Sequence, residues 1–264
     1  MKIVVIGGTG LIGSKVVAKL TEHGHEVVPA SPRLGINTIT GEGVAAALDG
    51  ASVVVDVSNS PNFEYATALE FFETSTHNLL AAARSAGVRH LVALSVVGTQ
   101  ELSQGGDPTK TTAGYFVAKL SQETMIEESS IPFSLVHATQ FFEFIKSIAD
   151  ASTVDGVVRL PPVLFQPMAA EDVASGVSRV AMGAPVNDIV EIGGPERAEF
   201  DEIVRRALIA LDDPREVVAD GAATYYGIAV NVRTLVPVDG ATLGEIRLED
   251  WLREAGATPA KAGV

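Results

Sequence analysis

The sequence predicts an α/β fold: a doubly wound parallel sheet, helices on both faces, and a small C-terminal lobe lying over the sheet. Three observations predict it. Short β-branched runs alternate with amphipathic stretches through the first half of the chain, the pattern of a parallel sheet buried on both sides. A glycine-rich turn, Gly7 to Gly13, joins the first run to the first helix. The 264 residues, 47% hydrophobic and 20% charged, are enough for one large core or a core with a lobe grafted onto it.

In order, Ile3 to Ile6 reads as a strand, and Leu11, Val16, Val17 and Leu20 then recur at helical spacing until His23-Gly24. Glu26 to Ala30 and Ser52 to Val57 are the next strands. Phe63 to Ala86 reads as one long helix, with Leu69, Phe72, His77, Leu80 and Ala83 on a face and Gly87 as its stop. A strand over His90 to Leu94, a helix over Gly114 to Glu128 and a strand over Phe133 to Val136 complete the series. These make a first unit, residues 1–150. Residues 151–264 form the lobe over the substrate pocket, interleaved with the core as one structural unit. It holds helices over Ala170 to Met182, Asp201 to Leu211 and Leu248 to Ala255, and strands over Val157 to Leu160 and Ile189 to Ile192. Asp212 to Gly244 has no readable periodicity.

Charge excludes some partners. A formal net charge of −14 argues against nucleic acid and anionic membranes, both of which need Lys and Arg. No apolar run reaches membrane-spanning length and no signal-peptide layout is present, so a cytoplasmic location is expected. With no cysteine and five histidines scattered over separate elements, neither disulfides nor a metal site is expected. A homo-oligomer is compatible with the sequence, but nothing in it identifies the surface. The acidity is uneven. Residues 1–40 carry Lys2, Lys15, Lys19 and Arg33 against Glu22 and Glu26, whereas the remainder holds 15 basic groups against 31 acidic ones. The N-terminal segment therefore reads as the part prepared for a polyanion.

Gly7, Gly8, Thr9, Gly10, Leu11, Ile12 and Gly13 contain G-x-G-x-x-G between a strand and a helix. Glycine allows the tight turn and lets backbone N–H groups approach a pyrophosphate at the helix N-terminus, so this turn is read as dinucleotide-binding. A carboxylate at the end of the second strand would favour NAD; the chain instead offers Ser31 and Arg33, which suit the 2′-phosphate of NADP. NADP(H) is therefore preferred, with NAD(H) possible. Ser58, Asn59 and Ser60 follow the third strand and read either as adenine and ribose contacts or as a simple polar turn. Asp56, unusual inside a buried strand, is read as a helix cap or a contact of the glycine turn.

Tyr115 and Lys119 lie four residues apart on one predicted helix face. A nearby ammonium stabilises phenolate, so Lys119 is expected to lower the Tyr115 pKa and let Tyr115 exchange a proton while hydride moves at nicotinamide. Together with Gly7 to Gly13, this pair resembles the short-chain dehydrogenase/reductase superfamily, and more narrowly its atypical, NmrA-like NAD(P)-binding branch. Leu94-Ser95-Val96-Val97-Gly98, Ile131 through Phe142, Ala170-Glu171-Asp172-Val173-Ala174 and Glu191 to Pro195 carry the same resemblance. It implies a Rossmann-type core, NADP(H), and a C-terminal lobe shaping the pocket. It also implies a hydroxyl beside the Tyr-Lys pair; Ser95 is the nearest, although Val97 holds the usual position and Thr99 lies further on.

His137, Gln140 and Phe141 enter the lobe from the last core strand and, with Phe165 and Tyr225, are the expected lining of a mostly apolar pocket. Phe142 and Phe144 read as core. The functional reading is an NADPH-dependent oxidoreductase acting on a small apolar carbonyl, enone or quinone-like substrate, with Tyr115, Lys119 and Ser95 catalytic. The alternatives are a non-catalytic NADP(H)-binding regulator acting through a protein partner, and an isomerase or epimerase on the same fold.

Overall fold

The computed structural model of the protein describes residues 1–257; residues 258–264, the end of the expected lobe, lie outside the described residues. The chain runs β1 (Lys2–Ile6), α1 (Leu11–Glu22), β2 (Glu26–Ala30), α2 (Val44–Leu48), β3 (Val53–Asp56), α3 (Tyr65–Ala86), β4 (His90–Val96), α4 (Thr99–Gln104), α5 (Ala113–Glu127) and β5 (Phe133–Ala138). It continues through α6 (Ile145–Ala151), β6 (Thr153–Val154), β7 (Val157–Leu160), β8 (Leu164–Phe165), α7 (Ala170–Met182), β9 (Ile189–Gly193), β10 (Ala198–Glu199), α8 (Phe200–Ala210), β11 (Glu216–Ala219), β12 (Thr242–Leu243) and α9 (Leu248–Ala257).

Seven parallel strands form the main sheet in the order β12-β9-β5-β4-β3-β1-β2, a Rossmann-type arrangement. From β1 the chain steps outward to β2 and then crosses back to β3 on the other side of β1. That reversal opens a crevice at the carboxyl ends of β1 and β3, where α/β sheets bind ligands. No strand lies outside β2 among the described residues. Pro29, which has no N–H for a ladder, is therefore tolerated inside β2.

Strand side chains alternate between two helix layers. Val4, Ile6, Val54, Leu91, Ala93 and Leu135 pack with Val44, Leu48, Leu79, Leu80, Ala83 and Ile126 on one face. Ile3, Val5, Val53, Val55, Val92 and Val136 pack with Val16, Leu20, Val173 and Val177 on the other. A third core joins Leu102, Ala113, Phe116 and Phe142 to Phe165, Phe200 and Leu235 of the C-terminal segment. That segment also gives β9 and β12 to the main sheet and α7 to its helical layer. No helix of the described residues is long and apolar enough to cross a membrane.

Several expectations are corrected. The long helix starts at Tyr65, and β4 and β5 each run two residues past their expected ends, to Val96 and Ala138. On α3 the buried slot belongs to Thr76 while His77 faces solvent, and on α1 Leu11 is exposed while Ile12 is buried. Phe144 is 46% exposed and stacks on Phe141, so only Phe142 of that pair is core. Helices α2, α4 and α6 were not anticipated. The charge argument also fails in detail: Lys15 and Lys19 reach Glu171 on α7 at 2.9 and 2.5 Å, and Lys2 donates to Asp49 O at the amino end of the sheet. Of the four N-terminal cations, only Arg33 is left at the crevice.

Candidate functional site

The turn after β1 is built by backbone crowding. Gly7 has φ +78°, and a Cβ there would sit 2.9 Å from Ser58 N; one on Gly13 would sit 2.1 Å from Gly7 O. These glycines are needed by the fold itself. Gly10 is not: its φ of −83° suits any residue, it faces solvent, and a Cβ would meet only Gly7 O, at 3.3 Å. A glycine there leaves space for something outside the chain to approach the backbone. Helix α1 begins at this point with no side-chain cap and no acidic residue in its first turn, so its N–H groups and dipole remain open to an anion.

The neighbouring residues fit a nucleotide as well. The Ser31 hydroxyl at the end of β2 and the Ser60 hydroxyl after β3 are both buried without a hydrogen-bond partner. Arg33 is exposed in the short turn Pro32–Leu34 and has no ion-pair partner among the described residues. A dinucleotide phosphate or ribose would satisfy these groups.

Asp56 shapes the β3 exit. Its Oδ1 accepts from Ser58 N at 2.9 Å and Ser58 Oγ at 2.6 Å, folding the loop against Gly7. Asn59 Oδ1 on that loop accepts from the Tyr115 hydroxyl at 2.9 Å. The glycine turn, the β3 loop and α5 therefore meet at one place. Phe63 and Phe72 pack edge-on against the Tyr115 ring, with centroids at 5.0 and 5.8 Å.

The Tyr115–Lys119 expectation is corrected. Burial raises the Tyr115 pKa, with Asn59 opposing the rise and no contribution from Lys119. Lys119 is 3% exposed and donates to Leu94 O at 2.7 Å and Gln122 Oε1 at 2.6 Å, with its ammonium 4.7 Å from the Phe72 ring centroid. Burial lowers its pKa to about 8, partly offset by Glu123 and Asp56. Ser95 is also claimed elsewhere, because its hydroxyl donates to Glu123 Oε1 in a short contact. It supplies no hydroxyl to Tyr115. Thr99 donates to Val96 O at 2.6 Å, and Val97 is buried.

Beneath α5 these groups form a polar layer that sequence reasoning missed. Gln122 Nε2 donates to Asp56 Oδ2 at 3.0 Å, and His137 Nε2 lies 3.2 Å from Glu123 Oε1 without hydrogen-bond alignment. Burial pushes Glu123 up, but His137, Ser95 and Lys119 together hold it below the usual carboxylate value, so it is ionised. Burial raises Asp56. The signal was present in the sequence. Asp56, Ser95 and His137 each stand two residues beyond an apolar residue of one sheet face (Val54, Ala93, Leu135), and Lys119, Gln122 and Glu123 share one face of a helix.

The expected pocket residues separate. His137 belongs to the layer under α5. Phe165 is fully buried, its ring 4.2 Å from Phe200, and is core of the lobe rather than lining. Phe141 stacks on Phe144. Only Gln140 and Tyr225 stay together: Gln140 favours ionisation of the Tyr225 phenol, whose pKa burial raises, and Tyr115 is near enough to oppose that ionisation.

A family model described as NAD(P)H-binding matches residues 36–177, more than half of the chain. The chain belongs to this NAD(P)H-binding family. The match begins after the glycine turn and takes in Asn59, Tyr115 and Lys119. The chain is 29% identical over 171 residues to a (4-alkanoyl-5-oxo-2,5-dihydrofuran-3-yl)methyl phosphate reductase of Streptomyces griseus, covering 60% of this chain and 54% of that one. It is 26% identical over 159 residues to an isoflavone reductase homolog of Lupinus albus, covering 53% and 50%. The chain thus spans about half the length of the curated relatives it matches. A short-chain dehydrogenase/reductase superfamily protein of Agrobacterium tumefaciens, solved with bound NAD, shares the fold, with a TM-score of 0.71 at 17% identity over 97% of this chain and 96% of that one.

Proposed function

We propose that this NAD(P)H-binding protein is an NADP(H)-dependent reductase of a small carbonyl, enone or quinone-like substrate, with Tyr115 as its proton donor. The observation that carries the reading is the Tyr115–Asn59 hydrogen bond, which sets the phenol of α5 against the loop that abuts the glycine turn. When bound, the nicotinamide supplies the hydride. The residues then have distinct tasks. Gly10 and the first turn of α1 receive the pyrophosphate, Ser31 and Arg33 hold the adenosine phosphate, and Ser58, Asn59 and Ser60 border the ribose side of the crevice.

Tyr115 leaves Asn59 and donates its proton to the substrate oxygen. Because burial raises its pKa, the phenol is fully protonated at neutral pH. That state suits an acid, and so the reductive direction. Lys119 ties α5 to the sheet beneath the phenol through Leu94 O and Gln122. The Streptomyces griseus relative is named for a dihydrofuran that carries an oxo and an alkanoyl group, which agrees with a conjugated carbonyl substrate.

A second reading is a non-catalytic NADP(H)-binding regulator. It is favoured by the inward engagement of Lys119 and Ser95, which leaves Asn59 as the side-chain hydrogen-bond partner of Tyr115 among the described residues. Tyr115→Phe separates the two. The reductase reading expects NADPH oxidation with a quinone, enone or aldehyde, and a loss of about 10²- to 10⁴-fold in kcat in the variant, with the NADPH dissociation constant unchanged. NADPH binding without oxidation of any acceptor would move the assignment to the regulator.

A further inference from the structure

The β3 loop is fastened to α5 by a side chain to which the chemistry above gives no task. Gln122 is buried, and both ends of its carboxamide are engaged. Its Oε1 accepts from Lys119 Nζ at 2.6 Å, and its Nε2 donates to Asp56 Oδ2 at 3.0 Å. The neighbours dictate this orientation. An ammonium only donates and a carboxylate only accepts, so the amide oxygen faces Lys119 and the amide nitrogen faces Asp56. A carboxylate at this position could not donate to Asp56, and a hydrocarbon could serve neither neighbour.

Asp56 passes the constraint on. Its other oxygen holds Ser58 N at 2.9 Å and Ser58 Oγ at 2.6 Å, and the next residue, Asn59, accepts from Tyr115. Tyr115 and Gln122 are seven residues apart on α5, about two turns, and so share one helix face. The loop is thus tied to one helix at two points, by Gln122 at its root and by Tyr115 further out. On its far side, Ser58 N stands 2.9 Å from where a Cβ on Gly7 would be, so a displaced loop displaces one wall of the glycine turn. Burying Asp56 and Lys119 costs desolvation energy that an apolar filling would avoid. The geometry this layer imposes, more than stability, accounts for it.

We infer that Gln122 is a positioning residue of the dinucleotide crevice: by accepting from Lys119 while donating to Asp56, it sets where Ser58 and Asn59 stand against the glycine turn, and with that the affinity for NADP(H). The inference rests on the reading that Ser58, Asn59 and Ser60 border the bound dinucleotide.

Two variants and their combination test it in the full chain. Gln122→Glu keeps the shape and the contact with Lys119 but loses the donor to Asp56. Asp56→Asn keeps an acceptor for Ser58 but turns amide hydrogens toward Gln122 Nε2. The double variant restores a donor for every acceptor, with the negative charge moved from β3 to α5. Each single variant is expected to weaken NADPH by about 10-fold or more at pH 7, read by fluorescence titration, and the double variant to bind within about 3-fold of wild type. Losses that multiply in the double variant overturn the inference.

A pH series separates positioning from packing. In Gln122→Glu two carboxylates face each other, and as pH falls they take up one shared proton that remakes the missing bond. Lys119 stays charged below pH about 8, Glu123 and His137 in the same layer are common to both proteins, and α3 contributes only the Phe72 ring. The ratio of the variant and wild-type dissociation constants is therefore expected to shrink to about 3-fold or less by pH 5.5. A ratio constant between pH 7 and 5.5 would assign Gln122 to packing and overturn the inference. If a single variant has no cooperative urea transition, Gln122→Met takes its place, removing both bonds without adding charge. It is expected to weaken NADPH by about 10-fold or more at every pH, and wild-type affinity in it overturns the inference. Gly10→Ala distinguishes the two levels. If it weakens NADPH while Gln122→Glu does not, the crevice stands and the role of Gln122 falls; if neither does, both fall. No readout needs turnover, so the reductase reading is not at stake.

Discussion

Tyr115 and Lys119 show how far residue spacing carries an argument. Their four-residue separation put both on α5, but not in contact. The helix is packed so closely on the sheet that Lys119 turns to Leu94 O and Gln122, and the Tyr115 hydroxyl turns to Asn59. Sequence supplied the residues; burial decided their partners. A pH dependence follows. Burial holds the Lys119 pKa at about 8, against 10.5 for an ordinary lysine, so the ammonium is lost early as pH rises. If its charge assists the reaction, kcat/KM falls above pH about 8, and Lys119→Met removes that alkaline limb; a limb unchanged in the variant would assign it to another group. The stability effect has the opposite sense. Between about 8 and 10.5 the unfolded chain binds more protons at this position, so the Lys119 contribution to stability improves as pH rises. Arg33, exposed and without an ion-pair partner among the described residues, answers a different question. Arg33→Ala is expected to weaken NADPH by about 10-fold or more while leaving NADH little changed, as read by fluorescence titration. Equal losses would remove the 2′-phosphate assignment.

Among the elements, the long buried ones were legible and the short ones were not. β1, β3 and the parallel strands beside them are β-branched and covered on both faces, and α7 was anticipated over its full length, Ala170–Met182. Helices α2, α4 and α6 span five, six and seven residues, too few for a helical stripe to stand out from a polar loop. Between Asp212 and Gly244, β11 and β12 span only four and two residues, and side chain–backbone bonds and tight turns join them, which leaves no period in the sequence. The glycine turn makes a prediction at this scale. Gly13→Ala forces a Cβ onto Gly7 O and is expected to cost about 3 kcal/mol or more in urea unfolding. Gly10→Ala is expected to leave the urea midpoint nearly unchanged and to weaken NADPH by about 10-fold or more. If Gly10→Ala binds NADPH normally, the turn is a packing device only.

For the whole molecule, we propose that the two segments expected at 1–150 and 151–264 form one cooperative unit. β9 pairs with β5, α7 covers α1, and the third core mixes Phe116 with Phe200. A fragment ending at residue 150 would expose the β5 edge and half of that core. It is expected to bind a hydrophobic dye and to lack a cooperative melt, whereas the full chain unfolds in urea in a single transition. A compact fragment that melts cooperatively would contradict this. At this scale the net charge sets an expectation about partners, but its distribution was not legible. Lys15 and Lys19 are engaged by Glu171, 156 residues from Lys15 in the chain and invisible to a local count.

The bond between Tyr115 and Asn59 also bears on affinity. In the proposed reaction, Asn59 Oδ1 occupies the place at the phenol that the substrate oxygen would take. The protein therefore carries its own competitor, one that never diffuses away. On that proposal a substrate oxygen would have to displace an acceptor already in place, which would set a threshold for weak acceptors and shield the phenol from casual encounters.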